Sequence, residues 1–544
     1  MRKAFIFTMI AAIMVIIVMS GLWPAILWAF IVLIPLVVLG SYDMMQQKHA
    51  LWRTFPVLGH GRWLLESVRP YLRQYWFESD TDGVPVNRMF RTVIYQRAKG
   101  ELDTVPYGTQ LDTKAVGYEW IGHSLAAKQL AESETGLRVT IGGPHCRQPY
   151  SASILNISAM SFGALSDNAI RALNKGAKQG GFAHNTGEGG ISPYHSEYGG
   201  DLIWQIGTGY FGCRTSAGEF CPQSFKKIAA GGQVKMIEIK LSQGAKPGHG
   251  GILPAAKNTP EIAAIRKVKS GARVVSPPAH SAFDTPVAMM AFIGQLRELS
   301  LGKPIGFKLA VGRKSEFFAL CKAMIKTGIT PDFITVDGGE GGTGAAPLEY
   351  ANSVGMPLRE ALGFVCDTLT GFGLKKDIKV IAGGKIFTGF HVVKNIAMGA
   401  DVCNSARGMM VALGCIQSLT CNSNKCPVGI ATQNPSLSTG VVVNDKAGRV
   451  ARFHRETVKA TAELIAAAGL HHSSALNRSH IYRRVSQTEV KRYDEIYPPP
   501  KEGCFLTGNY PEHFQQEMAE SCADSFMPQH TAFVPVIDRQ QQAG

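Results

Sequence analysis

Beyond residue 142 the chain keeps one rhythm: short apolar runs, each followed by a stretch of helix-forming length. Runs of this length bounded by turn residues read as buried strands, and strands alternating with helices read as βα units of a parallel sheet. Eight such runs stand at 154–159, 181–185, 236–240, 272–276, 305–310, 333–336, 379–382 and 401–405. Eight favours closure over an open doubly wound sheet, so the spacing predicts an α/β fold, a (β/α)8 TIM barrel. The segment "LIWQIGTGYFG" at 202–212 has strand character as well.

Ahead of the barrel, residues 4–42 carry no charged side chain, with Ser20, Gly21 and Pro24 interrupting the run near its middle. Two helices of about 18 residues, rising about 1.5 Å per residue, nearly span a hydrocarbon core of about 30 Å. The pattern predicts a transmembrane helical hairpin over 1–43. A cleaved signal peptide is the competing reading, but the second apolar stretch acts as stop-transfer and no A-x-A-like cleavage site lies between the two. Arg2 and Lys3 precede the first helix, and Lys48, Arg53, Arg62, Arg69 and Arg73 follow the second. Positive charge at both ends places both termini, and the barrel, on the cytoplasmic side of an inner membrane. Residues 44–140 interleave Trp and Arg in "HALWRTFPVLGHGRWLLESVRPYLRQYW", as a membrane-surface or barrel-packing segment does. The barrel domain is expected over 141–490. From 491 to 544, with "YPPPKEG" and the closing "RQQQAG", an irregular C-terminal extension is expected.

Lys and Arg number 56 against 41 Asp and Glu, a net charge of +15. That surplus suits an anionic membrane face, an acidic substrate or an acidic electron donor; with no aromatic-basic array, nucleic acid is not an expected partner. The 11 cysteines are odd in number, and three crowd together in "GCIQSLTCNSNKCPVG" as Cys415, Cys421 and Cys426. A disulfide framework is unusual around so large an apolar core. Thiolates are the usual iron-sulfur ligands, and three in a C-x5-C-x4-C run suit a three-iron cluster. Three buried structural thiols is the other reading, while zinc lacks a fourth ligand at good spacing.

In a parallel barrel, ligands meet the C-terminal ends of the strands. There stand two glycine runs, "VDGGEGGTGAAP" at 336–347 after the sixth strand and "AGGKIFTG" at 382–389 after the seventh. Glycines let backbone N–H groups approach phosphate oxygens. Neither run is a Walker A loop or a first-turn G-x-G-x-x-G, which disfavours a nucleoside triphosphatase or a Rossmann dehydrogenase. Lys240, Lys246, Arg266 and Lys308 sit at or after candidate strands. Lys240 and Lys308 end the apolar runs "MIEIK" and "IGFK", which points them into the barrel mouth. A lysine buried there needs an anion: a flavin phosphate, a reduced flavin or a substrate carboxylate.

Five ordered motifs, "SAMSFGALS" (158–166), "NTGEGG" (185–190), "QGAKPGHGG" (243–251), "GGEGGTGAAP" (338–347) and "GCIQSLTCNSNKCPVGIATQ" (414–433), resemble the FMN-binding synthase domain of glutamate synthases, in particular stand-alone, membrane-anchored proteins with that domain. The resemblance covers about 151–433. It implies FMN, a [3Fe-4S] cluster on Cys415, Cys421 and Cys426, and reduction of 2-iminoglutarate or a similar 2-imino acid to the amino acid. It places Ala159, Met160, Ser161 and Gln205 against the flavin ring, Lys308 near its N1 side, and Gly338, Gly339, Gly383 and Gly384 along the phosphate. Lys240, Lys246 and Arg266 would hold the carboxylates of the 2-oxo acid, with Glu188 on a loop beside them. Two residues depart from the family pattern: His249 replaces a Glu and Ile252 replaces a substrate-binding Gln, so the 2-oxo acid can differ from 2-oxoglutarate.

The family's glutaminase uses an N-terminal cysteine, whereas residue 2 is Arg and an apolar stretch follows. No glutaminase domain is expected here. Nitrogen would come from ammonia, an amine, or a glutaminase or amidotransferase partner. With no second dinucleotide-binding region in view, electrons would come from a ferredoxin-like or other external donor. Two other functions fit the same motifs: an N-methylglutamate synthase-like component, and a membrane redox module that passes electrons without substrate chemistry.

Overall fold

The computed structural model describes residues 1–129 and 137–529, divided into two compact units, Met1–Arg88 and Met89–Gly544. In the first unit, helices Arg2–Ser20 and Phe30–Met45 run antiparallel, joined through Gly21 and the short 3-10 helix Pro24–Ala29. The Arg2 guanidinium donates to the Met44 carbonyl at 3.5 Å, and the Phe5 ring fills the space beside Gly40, where any side chain would collide with it. Phe7, Val18, Leu22, Trp28 and Val32 are exposed. Among the described residues, Arg2–Ser20 and Pro24–Met45 are long and apolar enough to cross a membrane. Asp43 ends the pair: buried, it accepts the Val57 N–H at 2.8 Å and pairs with His60 Nε2 at 2.8 Å. Helix Gly59–Leu72 then carries exposed Trp63, Leu64 and Leu65 among Arg62 and Arg69.

The second unit is built on a closed barrel of eight parallel strands. They are β1 (Leu155–Ile157), β2 (His184–Asn185), β3 (Leu202–Ile206), β4 (Val234–Lys240), β5 (Ile305–Leu309), β6 (Phe333–Asp337), β7 (Lys379–Gly383) and β8 (Val402–Ser405). Seven of the eight expected runs lie in the barrel. The run at 272–276 does not: Val274–Val275 pairs antiparallel with Ile252–Leu253, in the excursion between β4 and β5. The third barrel strand is instead Leu202–Ile206. The reason is burial on two faces, which a helix-covered parallel strand requires. Every residue of Leu202–Ile206 is buried, whereas Val275 is 50% exposed.

The hairpin of Arg138–Ile141 and Tyr150–Ser153 closes the N-terminal end, packing Ile141 and Tyr150 onto Ile203, Met236, Phe333 and Ile381. Outside, helix Asp167–Gly180 starts where the Ser166 hydroxyl accepts the Ala169 N–H and stops at left-handed Gly181. The long helix Val443–Ala467 lies across it and across Gly389–Ala397 and Arg407–Leu413. The tail differs from the irregular chain expected: short helices Tyr493–Ile496, Cys504–Thr507 and Gln515–Glu520 form as far as the described residues run. Phe505 and Phe514 bring the last two onto Phe318, at 5.0 and 5.8 Å between rings, and this apolar burial orders a stretch whose composition alone does not. The closing "RQQQAG" lies outside the described residues.

Candidate active site

Strand alternation sends Glu238 and Lys240 of β4, Lys308 of β5, and Thr335 and Asp337 of β6 into the barrel. Glu238, 1% exposed, accepts Asn185 Nδ2 at 2.8 Å, Gln205 Nε2 at 2.6 Å and Thr335 Oγ1 at 2.5 Å. This network fills the barrel beneath the mouth. Above it, Lys240 and Lys308 are register partners on adjacent strands, yet they turn to different carboxylates. Lys240 Nζ meets Glu188 Oε1 at 2.9 Å, and Lys308 Nζ meets Asp337 Oδ2 at 3.0 Å. Burial disfavours the charged form of Lys308, but Asp337 and Glu238 outweigh it and hold its pKa above the usual lysine value. Burial likewise pushes Glu188 up, and Lys240, Arg266 and Lys246 bring it below the usual carboxylate range.

The Lys240 side opens into a cleft lined by Glu188, Thr208, Ser242, His249 and Gly251. A side chain at Gly207 or Gly251 would collide with the Glu188 carboxylate, so two glycine backbones form its cradle. Arg266, the last residue of helix Pro260–Arg266, donates from Nη2 to the Phe162 carbonyl at 3.0 Å and lies 5.1 Å over the Phe211 ring. Its Nε is buried and has no hydrogen-bond partner among the described residues. Burial lowers the Arg266 pKa to about 10 against the pull of Glu188. Burial, reinforced by Lys240, lowers Lys246 to about 8; its ammonium donates to the Ala345 carbonyl at 2.6 Å. His280, kept neutral by burial, donates from Nε2 to the Lys240 carbonyl at 2.9 Å and accepts the Tyr210 hydroxyl at Nδ1, fixing the end of β4. The structure thus brings Lys240, Lys246, Arg266 and Glu188 into one charged group. Ile252 follows Gly251 directly, on the short strand Ile252–Leu253.

The Lys308 side opens into a second cleft. Ser158 and Ala159 of the loop after β1, Gly341 and Gly342 after β6, and Gly384 and Lys385 after β7 line it, with Asn404 of β8 and Arg407 just beyond. Arg407 donates to the Glu340 carbonyl at 2.6 Å, and no carboxylate forms an ion pair with Lys385 or Arg407 among the described residues. Burial lowers the pKa of both. The buried Asn404 Oδ1 also lacks a partner there. Two cations outside any ion pair among the described residues, glycine backbones, and the helix Gly389–Ala397 that starts a few residues on make a good site for a phosphate.

Of the residues expected along the cofactor, Ala159, Lys308 and Gly384 line this cleft. Gly338, Gly339 and Gly383 do not line it: the first two pack against Leu358 and the Gly355 carbonyl, and Gly383 lies beside Asp337. Met160 and Ser161 continue from Ala159 along the backbone of Gly187, and Ser161 reaches Arg266 at 3.4 Å. Gln205 lies below, in the Glu238 network. Sequence reading missed Lys385 and Arg407 as the further cations of this cleft and Glu238 and Asp337 as the carboxylates that order the interior. Their signals were present: Lys385 sits inside a glycine run already singled out, Arg407 follows a barrel strand, and Glu238 is a charge within an apolar strand.

The cysteine loop follows helix Arg407–Leu413. Gln417, Leu419 and Asn424 take positive φ of 55°, 56° and 62°, folding it tightly. Asn424 Oδ1 accepts the Gln433 N–H at 2.7 Å, and Gln433 Nε2 donates to the Leu165 carbonyl at 2.7 Å, which ties this loop to the one after β1. Burial pushes the Cys415 thiol up to about 11, with Cys421 and Cys426 adding to it, and burial raises Cys421 too. The three sulfurs therefore lie within electrostatic reach of one another. Among the described residues no three His, Cys, Asp or Glu side chains converge on a single metal ion. Three soft donors grouped on one loop fit a cluster, which is wider than an ion.

The family profile described as "Conserved region in glutamate synthase" matches residues 137–471. The glutamate synthase large subunit-like protein YerD of Bacillus subtilis (strain 168) is 36% identical over 84% of this chain and 93% of its own length. The archaeal glutamate synthase [NADPH] of Methanocaldococcus jannaschii is 35% identical over 59% of this chain, which spans 60% of that relative. A solved mandelate oxidase variant with an FMN adduct is similar at 14% identity and a TM-score of 0.40, over 74% of this chain and 92% of that one.

Proposed function

Because the chain belongs to the glutamate synthase family, we propose that this oxidoreductase of glutamate synthase type binds FMN in the Lys308 cleft and reduces a 2-imino acid, 2-iminoglutarate or a close analogue, in the Lys240 cleft. The observation that carries this reading is the grouping of Lys240, Lys246 and Arg266 around Glu188, beside a cleft suited to a phosphate. Bound FMN would supply the hydride that reduces the imine carbon. Arg266 and Lys246 hold carboxylates of the substrate: both are buried, and a buried cation is stabilised by an anion brought to it. Lys240, neutralised by Glu188 when the cleft is empty, is free to turn its ammonium toward an incoming carboxylate. Ser161, in contact with Arg266, links the two clefts along one loop. Lys308 and its partner Asp337 place fixed charge where a flavin ring would lie. A [3Fe-4S] cluster on Cys415, Cys421 and Cys426 would relay electrons singly from an external donor, and ammonia, an amine or a partner subunit would provide nitrogen.

The two apolar helices and the Trp- and Arg-bearing helix after them support a membrane anchor with the barrel on the cytoplasmic side. Carbonate extraction should leave the protein in the membrane fraction; release into the soluble fraction refutes the anchor.

The function is tested on anaerobically purified protein. It should contain FMN and about three irons per chain, and Cys421→Ser should lose the iron signal; unchanged iron in that variant refutes ligation by this loop. Reduced protein given 2-oxo acids with ammonium should form the corresponding amino acid. No amino acid from any 2-oxo acid with ammonium or an amine defeats the synthase reading and leaves the redox module.

A further inference from the structure

Lys257 has no part in either cleft. It ends the 3-10 turn Ala255–Lys257 and is 2% exposed. Its ammonium donates to the Ala164 carbonyl at 2.9 Å, no carboxylate forms an ion pair with it among the described residues, and the thiols of Cys421 and Cys426 lie within its electrostatic reach. Holding an ammonium in the interior costs several kcal/mol unless an anion compensates it, and cysteine thiolates ligating iron on this loop would be that anion. Its surroundings are clamped to the cysteine loop on both sides. Asn424 Nδ2 donates to the carbonyl of neighbouring Ala256 at 3.0 Å, and Gln433 Nε2 donates to the carbonyls of Gly163 and Leu165, which flank Ala164, at 3.2 and 2.7 Å.

We propose that Lys257 is a positioning residue for the iron-sulfur cluster: a fixed counter-cation that raises the cluster's reduction potential and ties the cysteine loop to the loop after β1. The inference rests on the reading that Cys415, Cys421 and Cys426 hold a cluster. One-electron reduction adds a negative charge to a centre that three thiolates already make anionic, and a cation held in the low-dielectric interior stabilises that added charge more than the oxidised state.

The test is an anaerobic redox titration of the full-length protein, following the EPR signal of the oxidised three-iron cluster in wild type, Lys257→Met and Lys257→Arg, with iron and FMN content measured alongside. We expect Lys257→Met to keep its FMN and lower the reduction equilibrium of the cluster about tenfold, a shift of about 59 mV for one electron, and Lys257→Arg to stay near wild type. Loss of iron from Lys257→Met with retention in Lys257→Arg also supports a charge requirement. An iron-loaded Lys257→Met with the wild-type potential overturns the inference and leaves the cluster reading standing, as does equal loss of iron from both variants. Wild-type protein without iron refutes the cluster reading, and this inference falls with it.

Discussion

Lys240 and Lys308 begin alike, as register partners on adjacent strands at the end of an apolar run, and finish in different settings. Lys308 and its partner Asp337 both line their cleft, and the remaining positive groups there, Lys385 and Arg407, come with glycine backbone and form no ion pair among the described residues. Lys240 faces a cleft lined by a resident carboxylate, Glu188, on which the charges of Lys246 and Arg266, outside that lining, also act. The difference separates two kinds of anion binding. Backbone donors and cations outside any ion pair suit a ligand that stays, since an anion bound among them offsets their burial more fully than Asp337 and Glu340 do. In the other cleft one carboxylate, Glu188, compensates Lys240, Lys246 and Arg266 together, which suits a ligand that comes and goes. One segment runs from the first cleft toward the Glu188 group: Ser158 and Ala159 line the cleft, and Ser161 lies 3.4 Å from Arg266.

The sharpest way to break this contrast is to remove the further cations of the Lys308 cleft. The double substitution Lys385→Ala/Arg407→Ala deletes two charge-assisted contacts, about 3 to 6 kcal/mol together, so FMN affinity should fall at least about 100-fold. Flavin fluorescence quenching in titrations of the apoprotein reads this directly, and near-wild-type affinity would place the phosphate elsewhere. On the other side, Arg266→Lys keeps the charge but loses the planar fork, which should weaken 2-oxo acid binding by about 1.5 to 3 kcal/mol with flavin content unchanged. Perturbation of the bound flavin spectrum by 2-oxoglutarate gives the dissociation constant.

A pH series separates the clefts without mutation. Lys246 is a cation whose pKa in the substrate-free protein is lowered to about 8, so it is charged below that pH and loses its charge as the pH rises through it. Binding of a dicarboxylic 2-oxo acid should therefore be level below about pH 8 and weaken up to about tenfold per unit above it. Lys246→Arg should flatten the dependence, and a wild-type constant unchanged between pH 7 and 9 would remove Lys246 from the binding site. The smallest effect is expected for Ile252→Gln, beside the Glu188 cradle. An added amide donor should tighten 2-oxoglutarate by about 0.5 to 1.5 kcal/mol if that acid is the ligand; no gain, with a gain for a different 2-oxo acid, would redefine the substrate.

What could be read in the sequence divides along the same line. The lysines that close "MIEIK" and "IGFK" were legible as mouth residues because strand alternation fixes their direction, and the cysteine triplet because its spacing lies within one loop. The third strand was harder. "LIWQI" and "ARVVS" both look like strands locally, and only burial on two faces, set by helices distant in sequence, separates them. Glycine runs marked the loops that border the cleft but not which glycines line it: Gly338 and Gly339 pack against Leu358 and Gly355, while Gly341 and Gly342 face the cleft. That choice depends on how the loop turns, which composition does not encode. The pairing of Lys240 with Glu188 and of Lys308 with Asp337 joins residues far apart in the chain and became visible when the barrel closed.

The division of labour between the two lysines is tested most directly by measuring, in flavin-loaded Lys240→Met and Lys308→Met, both the flavin midpoint potential and the dissociation constant for 2-oxoglutarate. Lys240→Met should weaken the 2-oxo acid and leave the flavin potential at its wild-type value. Lys308→Met should lower the flavin potential, by removing a cation from beside the reduced flavin, and leave 2-oxo acid affinity intact. If both substitutions change both quantities alike, or if Lys308→Met alone abolishes 2-oxo acid binding, the mouth is a single undivided site and the assignment of one ligand to each cleft is wrong.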